Sequence, residues 1–159
     1  EDLAGLPFVG RSGQFLERLL MTIGLKRESI YLANIIPWRP PGNRTPTPQE
    51  IALCLPFITR QIELKKPDIL ICLGGPSAQG LLNIREGILK TRGQWQELTL
   101  GSHRMKAIAT LHPAYLLRSP AAKRLVWLMA SKRVENSDQK AAERGLSSTP
   151  ALPCMLKAP

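Results

Sequence analysis

Three short, largely apolar runs constrain this chain more than any other feature. Residues 30–36, 68–73 and 106–111 each have the length of a buried strand and are too short for a helix. Helical patterns separate them. In residues 12–23, Phe15, Leu16, Leu19, Leu20 and Ile23 fall on one helical face, and Gly24 follows as a stop. Thr47-Pro48-Gln49-Glu50 is a capping box with proline at the first helical position. Ile51, Leu55, Ile58 and Ile62 carry that helix to about Lys66, with a kink expected at Pro56. Gly74-Gly75-Pro76 turns into a short helix ending near Leu82, residues 84–104 form an irregular excursion with room for a hairpin, and Ser119-Pro120 opens a last helix to about Val134. Buried strands alternating with helices predict an α/β three-layer sandwich, a short central parallel sheet flanked by helices. Right-handed crossovers gather the C-terminal strand ends on one edge, where open α/β sheets bind ligands. Asn34, Gly74-Gly75 and His112 are expected there. Residues 1–134 read as one domain and residues 135–159, which lose periodicity, as a mobile tail.

Charge indicates the partner. The 159 residues carry 22 Lys+Arg against 12 Asp+Glu, a formal net charge of +10. That excess suits a polyanion, and it also suits a basic face that merely keeps the chain soluble. No apolar run approaches the ~18 residues of a membrane span, so no membrane partner is expected. Cys54, Cys72 and Cys154 are odd in number and contain no CxxC, which fits a reducing, cytoplasmic setting. A monomer is expected. Glu1 rather than Met opens the chain, as in a fragment.

Each edge residue admits two readings. Asn34 either closes a strand end on a loop or offers its amide, donor beside acceptor, to the edge of a planar base; that pattern matches uracil and mismatches cytosine. His112, biased toward extended backbone by the following Pro113, is either a satisfied loop residue or a neutral donor to a developing oxyanion. His103, in a Gly-Ser-His-Arg turn, reads as structural. Leu116 and Leu117, expected in a loop, are core residues or a wedge between base steps. Arg11, Arg39, Arg44, Arg118 and Lys123 are candidate phosphate contacts. Phe8 is a core filler or a stacking platform for a flipped base. Backbone N–H groups of Gly10-Arg11-Ser12-Gly13 offer a weak phosphate seat.

Five colinear segments carry a resemblance: EDLAGLPFVGRSG, IYLANIIPWRPPGNRTPTPQEIALCLPF, QIELKKPDILICLG, TRGQW and TLHPAYLLRSPAAKR. In order and spacing they resemble family 4, the iron–sulfur type, of the uracil-DNA glycosylase superfamily, over residues 1 to about 127. The resemblance implies hydrolysis of the N-glycosidic bond of uracil in DNA, a base excision repair reaction on a flipped base. It also implies roles. Phe8 stacks on uracil, Asn34 reads its edge, His112 stabilises the leaving anion through O2, Leu116 or Leu117 fills the vacated stack, and Glu1 crowds the C5 methyl of thymine. Flipping costs roughly a few kcal/mol, least for a mispaired base. Neither a metal nor a Schiff-base lysine is required, so base removal without strand cleavage is expected.

Two departures accompany the resemblance. The family's first strand ends in a Gly-Glu-Ala-Pro-Gly-like motif, which positions the attacking water, ahead of the position of Glu1. This chain begins after it, and truncation is expected because a missing strand would open the sheet interior. The family's [4Fe–4S] cluster needs four cysteines, two of them upstream. Of the other two positions, Cys54 is retained and Trp38 occupies the second. One thiolate cannot hold a cluster, so no cofactor is expected, with Trp38 packed where the cluster would sit. The alternative is a non-catalytic DNA-binding relative that keeps the basic edge and the wedge. A nucleotide-binding domain is a further alternative, but Gly74-Gly75 lacks the rest of a phosphate-loop pattern.

Overall fold

Each of the three expected strands forms, and two more join them. The structure, a computed structural model, describes residues 6–122 and 154–157. Its elements are α1 (Arg11–Met21), β1 (Tyr31–Asn34), α2 (Pro48–Lys65), β2 (Ile69–Leu73), α3 (Gly75–Leu82), α4 (Ile88–Thr91), β3 (Trp95–Leu100), β4 (His103–Thr110), α5 (Pro113–Arg118) and β5 (Cys154–Lys157). The sheet runs β1-β5-β2-β4-β3. Its first four strands are mutually parallel, and β3 pairs antiparallel to β4. The hairpin in the expected excursion is therefore real. It turns through Gly101-Ser102, with Gly101 at φ 57°, a conformation that glycine adopts without penalty.

Of the stretch 135–159, expected to be a mobile tail, the structure describes Cys154–Lys157, and these four residues depart from that expectation: they form a strand inside the sheet, hydrogen-bonded to β1 on one side and β2 on the other. Its apolar run is only four residues long, below the length at which periodicity speaks, and both partners are remote in sequence. It occupies a position between the first two expected strands, where the sheet interior would otherwise lie open. The proposed last helix beyond Ala122, Lys123 and residues 135–153 lie outside the described residues, as does Glu1.

Strand alternation sorts the core onto two faces. Tyr31, Ala33, Leu70, Cys72, Ala107, Ala109 and Cys154 meet Ile51, Cys54, Ile58 and Ile62 of α2 and Ala78, Leu81 and Leu82 of α3. On the opposite face Leu32, Ile71, Leu73 and Met155 meet Phe8, Leu16 and Leu20. Helix α2 begins as its sequence demands. The Thr47 hydroxyl accepts from Glu50 N–H, and the Glu50 carboxylate accepts from Thr47 N–H at 2.8 Å. The helix continues through Pro56 and stops at Lys66, whose φ is 46°. Among the described residues no helix is long and apolar enough to cross a membrane.

Candidate functional site

The sheet's C-terminal edge assembles the site by strand geometry alone. Asn34 is the last residue of β1, and alternation puts its side chain on the face of Leu32 and Phe8. The Asn34 side-chain oxygen is buried and has no hydrogen-bond partner among the described residues. Burying an unpaired carbonyl oxygen is costly, so this atom is open to a further donor.

His112 sits two residues beyond β4, at the N-cap of α5. Its Nδ1 accepts the N–H of Ala114 at 3.1 Å. In the neutral imidazole the proton must then reside on Nε2, which makes that nitrogen the donor. The position is fixed from behind. Gly74, at φ 97°, donates its N–H to Thr110 O at 2.8 Å and ties the end of β2 to the end of β4. A Cβ on Gly74 would meet His112 Cβ at 3.3 Å, so only glycine passes here comfortably.

Phe8 lies on the α1 face with its ring centroid 6.0 Å from that of His112 and the two planes within 20°. A base stacked on Phe8 would share the orientation of the imidazole. The Nε2–H would then point near the plane of an exocyclic carbonyl, where acceptor lone pairs lie. Phe8 is also wholly buried, among Leu16, Leu20, Ile30, Leu73 and Met155. Phe8 therefore fills the core, and its ring is aligned with the histidine. In this closed conformation a base reaches the ring only by displacing its cover.

The two leucines are placed differently. Both lie in α5, not in a loop, because His112 caps the helix and Pro113 starts it. Leu116 is buried, whereas Leu117 is half-buried and Tyr115 and Arg118 are exposed. Leu117 is the side chain of the pair that can reach a partner.

The loop after β1 is pinned at buried Pro40 and Pro46. Arg39 is exposed there. The Arg44 guanidinium donates to both carboxylate oxygens of Glu50, at 2.7 and 2.8 Å. Those bonds, followed by the one from Thr47 N–H, hold the Glu50 carboxyl at about 2. Arg44 thus braces the loop to α2. Trp38 is 46% exposed, so it does not pack into an interior space as expected. Cys54 is buried, and burial pushes its thiol up, away from the thiolate a metal needs. Among the described residues no group of three or more His, Cys, Asp or Glu side chains is placed to hold a metal ion. His103 is structural, its Nε2 lying 2.8 Å from Pro67 O at the opposite end of β4.

Two residues with no distinguishing pattern in the sequence join the site. Thr110, at the end of β4, buries a hydroxyl without a partner among the described residues. Arg27, in a turn after α1, donates to the Phe8 carbonyl. Neither a threonine in an apolar run nor an arginine in a polar turn signals its role locally.

With that geometry in hand, relatives are informative. Residues 1–131 match the family model described as the Uracil DNA glycosylase superfamily. The chain is similar to the Type-4 uracil-DNA glycosylase of Archaeoglobus fulgidus, 40% identical over 124 residues, covering 76% of this chain and 62% of that one. The Thermotoga maritima protein of the same name is 42% identical over 120 residues, covering 75% and 61%. That of Saccharolobus solfataricus is 37% identical over 155 residues, covering 94% and 68%. The chain thus spans roughly three-fifths to two-thirds of the length of these relatives.

Proposed function

The chain belongs to the uracil DNA glycosylase superfamily, and from that premise we propose that it removes uracil from DNA by hydrolysing the N-glycosidic bond. The observation that carries this reading is the buried Asn34 oxygen, without a partner among the described residues, on the same sheet edge as an imidazole whose proton is assigned to Nε2. A uracil edge, with a carbonyl next to a ring N–H, would satisfy the Asn34 amide. Cytosine would leave buried groups mismatched, which supplies discrimination. The base stacks on Phe8 after leaving the helix. As the glycosidic bond lengthens, the sugar gains oxocarbenium character and negative charge grows on the base. His112 donates from Nε2 to the base oxygen where that charge appears, and the preorganised donor costs no rearrangement at that moment. Leu117 fills the vacated stack while Arg39 and Arg118 meet phosphates.

The relatives' type is known for iron–sulfur clusters, and this chain's donors do not fit one. Trp38 has no atom able to ligate iron, and Cys54 is buried with its thiol pushed up. We propose a cluster-free member; iron and sulfide assays showing about four irons per chain would refute it.

Activity is tested on the full-length protein with uracil-containing and normal oligonucleotides, treated with alkali after incubation. Cleavage confined to uracil is expected, and its absence would reject the enzyme in favour of a DNA-binding relative. His112→Ala should slow single turnover by about 10²–10³-fold, the effect of removing one oxyanion donor. Unchanged rates in both Asn34→Ala and His112→Ala would sink the site.

A further inference from the structure

Phe8 stands at φ 61°, in the left-handed region that a bulky side chain rarely enters. Nothing in phenylalanine favours that conformation, so other groups must impose it. Three do so. Gly13 of α1 passes so close that a Cβ there would lie 1.7 Å from the Phe8 carbonyl oxygen. Arg27 reaches from the turn after α1. Its Nη1 donates to Phe8 O at 3.1 Å and its Nη2 to Pro7 O at 2.6 Å, so one planar fork holds two consecutive carbonyls. Glu17, on the outer part of α1, accepts from the same Nη1 at 3.0 Å and fixes the guanidinium's rotation.

We infer that Arg27, aligned by Glu17, is a positioning residue for base excision: it sets the height and tilt of the Phe8 ring relative to His112. The inference rests on the excision reading above, and it adds a part that touches neither base nor sugar. The fork geometry is what the task requires. A lysine ammonium is a point donor, which cannot hold both carbonyls and the carboxylate in one plane. Gly13 permits the close approach, Arg27 enforces it, and the near-parallel rings follow. Loosening the clamp leaves Phe8 free to relax toward ordinary backbone angles, which would tilt the platform away from the plane of the donor. Misplacement on the ångström scale at a reacting centre costs as much as 10²-fold in rate.

The test compares wild type, Arg27→Lys and Glu17→Gln in the whole protein. Its first readout needs no activity. The His112 ring protons lie near the Phe8 face, so their NMR resonances carry a ring-current displacement. That displacement should shrink in Arg27→Lys, and less so in Glu17→Gln, at a temperature where circular dichroism shows each variant folded. The second readout is single-turnover excision, expected to fall about tenfold or more in Arg27→Lys with a smaller change in KM. In a Phe8→Ala background the same substitution should cost nothing further, because the clamp acts only through that ring. An unchanged ring-current displacement, or an equal rate loss with Phe8 absent, would overturn the inference. Should Arg27→Lys not fold, Glu17→Gln alone decides by the same two readouts. A wild type that loses no uracil, with the displacement still lost in Arg27→Lys, would keep the clamp and remove the excision reading. A wild type that excises, with Arg27→Lys unaltered in both readouts, would do the reverse.

Discussion

Leu116 and Leu117 are adjacent, chemically identical and differently placed, which makes them a direct test at the scale of the residue. Leu116→Ala should lower stability by roughly 2–5 kcal/mol through the cavity it leaves, with excision per folded molecule nearly unchanged. Leu117→Ala should leave the urea midpoint almost where it was, and should slow excision from duplex while sparing single strands, where no stack needs filling. Urea titrations and single-turnover assays on both substrates separate the two. The positions of Asn34 and His112 were legible because one ends β1 and the other follows β4 by two residues, and a strand end on this edge has a predictable address. Which leucine faces out was not legible, since the helical phase of α5 is set by the cap His112 provides. Phe8 was legible as an aromatic near the site but not as a strained one. Its conformation depends on Arg27, distant in sequence, and on a glycine whose importance lies in what passes beside it.

At the scale of elements, two predictions follow from how segments are fastened. Arg44, and after it the Thr47 N–H, hold the Glu50 carboxyl at about 2 against the ordinary 4.5. A depressed carboxylate contributes stability that is complete above the ordinary value and is lost as pH falls toward the depressed one. Urea midpoints should therefore drop between about pH 4.5 and pH 2, and Glu50→Gln should flatten part of that fall. Because the pair is partly exposed, salt should shrink the difference. Strand β5 supplies the second prediction. Cys154 is wholly buried between β1 and β2, and burial pushes its thiol up to about 12 against the opposing pull of Lys65. In native protein it should react with a thiol reagent far more slowly than in urea, read by peptide mass analysis after timed alkylation. Free-thiol rates for Cys154 in native buffer would remove β5 from the sheet. The capping box of α2 was readable to the residue because its signal is local; β5 was not, because four residues pairing with distant partners leave no local trace.

For the whole molecule, the charge of +10 is the property that acts at a distance. DNA affinity should fall steeply with salt, by a slope of about −0.9 per phosphate neutralised, and Arg118→Ala should lessen that slope by about 1. Fluorescence anisotropy across a salt series measures both, and a flat response would leave the basic edge without its partner. The layered parallel architecture was legible because buried strands and amphipathic helices alternate in the chain, and that alternation admits few arrangements. The order of strands was not, since β1 and β2 are neighbours in sequence order but are held apart in space by β5. That separation has a consequence for synthesis. Strand β5 follows β2 by about 80 residues, so its contacts raise the contact order of the sheet. On the ribosome, β1 and β2 emerge long before the strand that joins them, each with the hydrogen-bonding edge that β5 covers still open. The nascent chain must therefore keep two adhesive edges apart until Cys154–Lys157 has been made, and the sheet can close only after translation has passed that point.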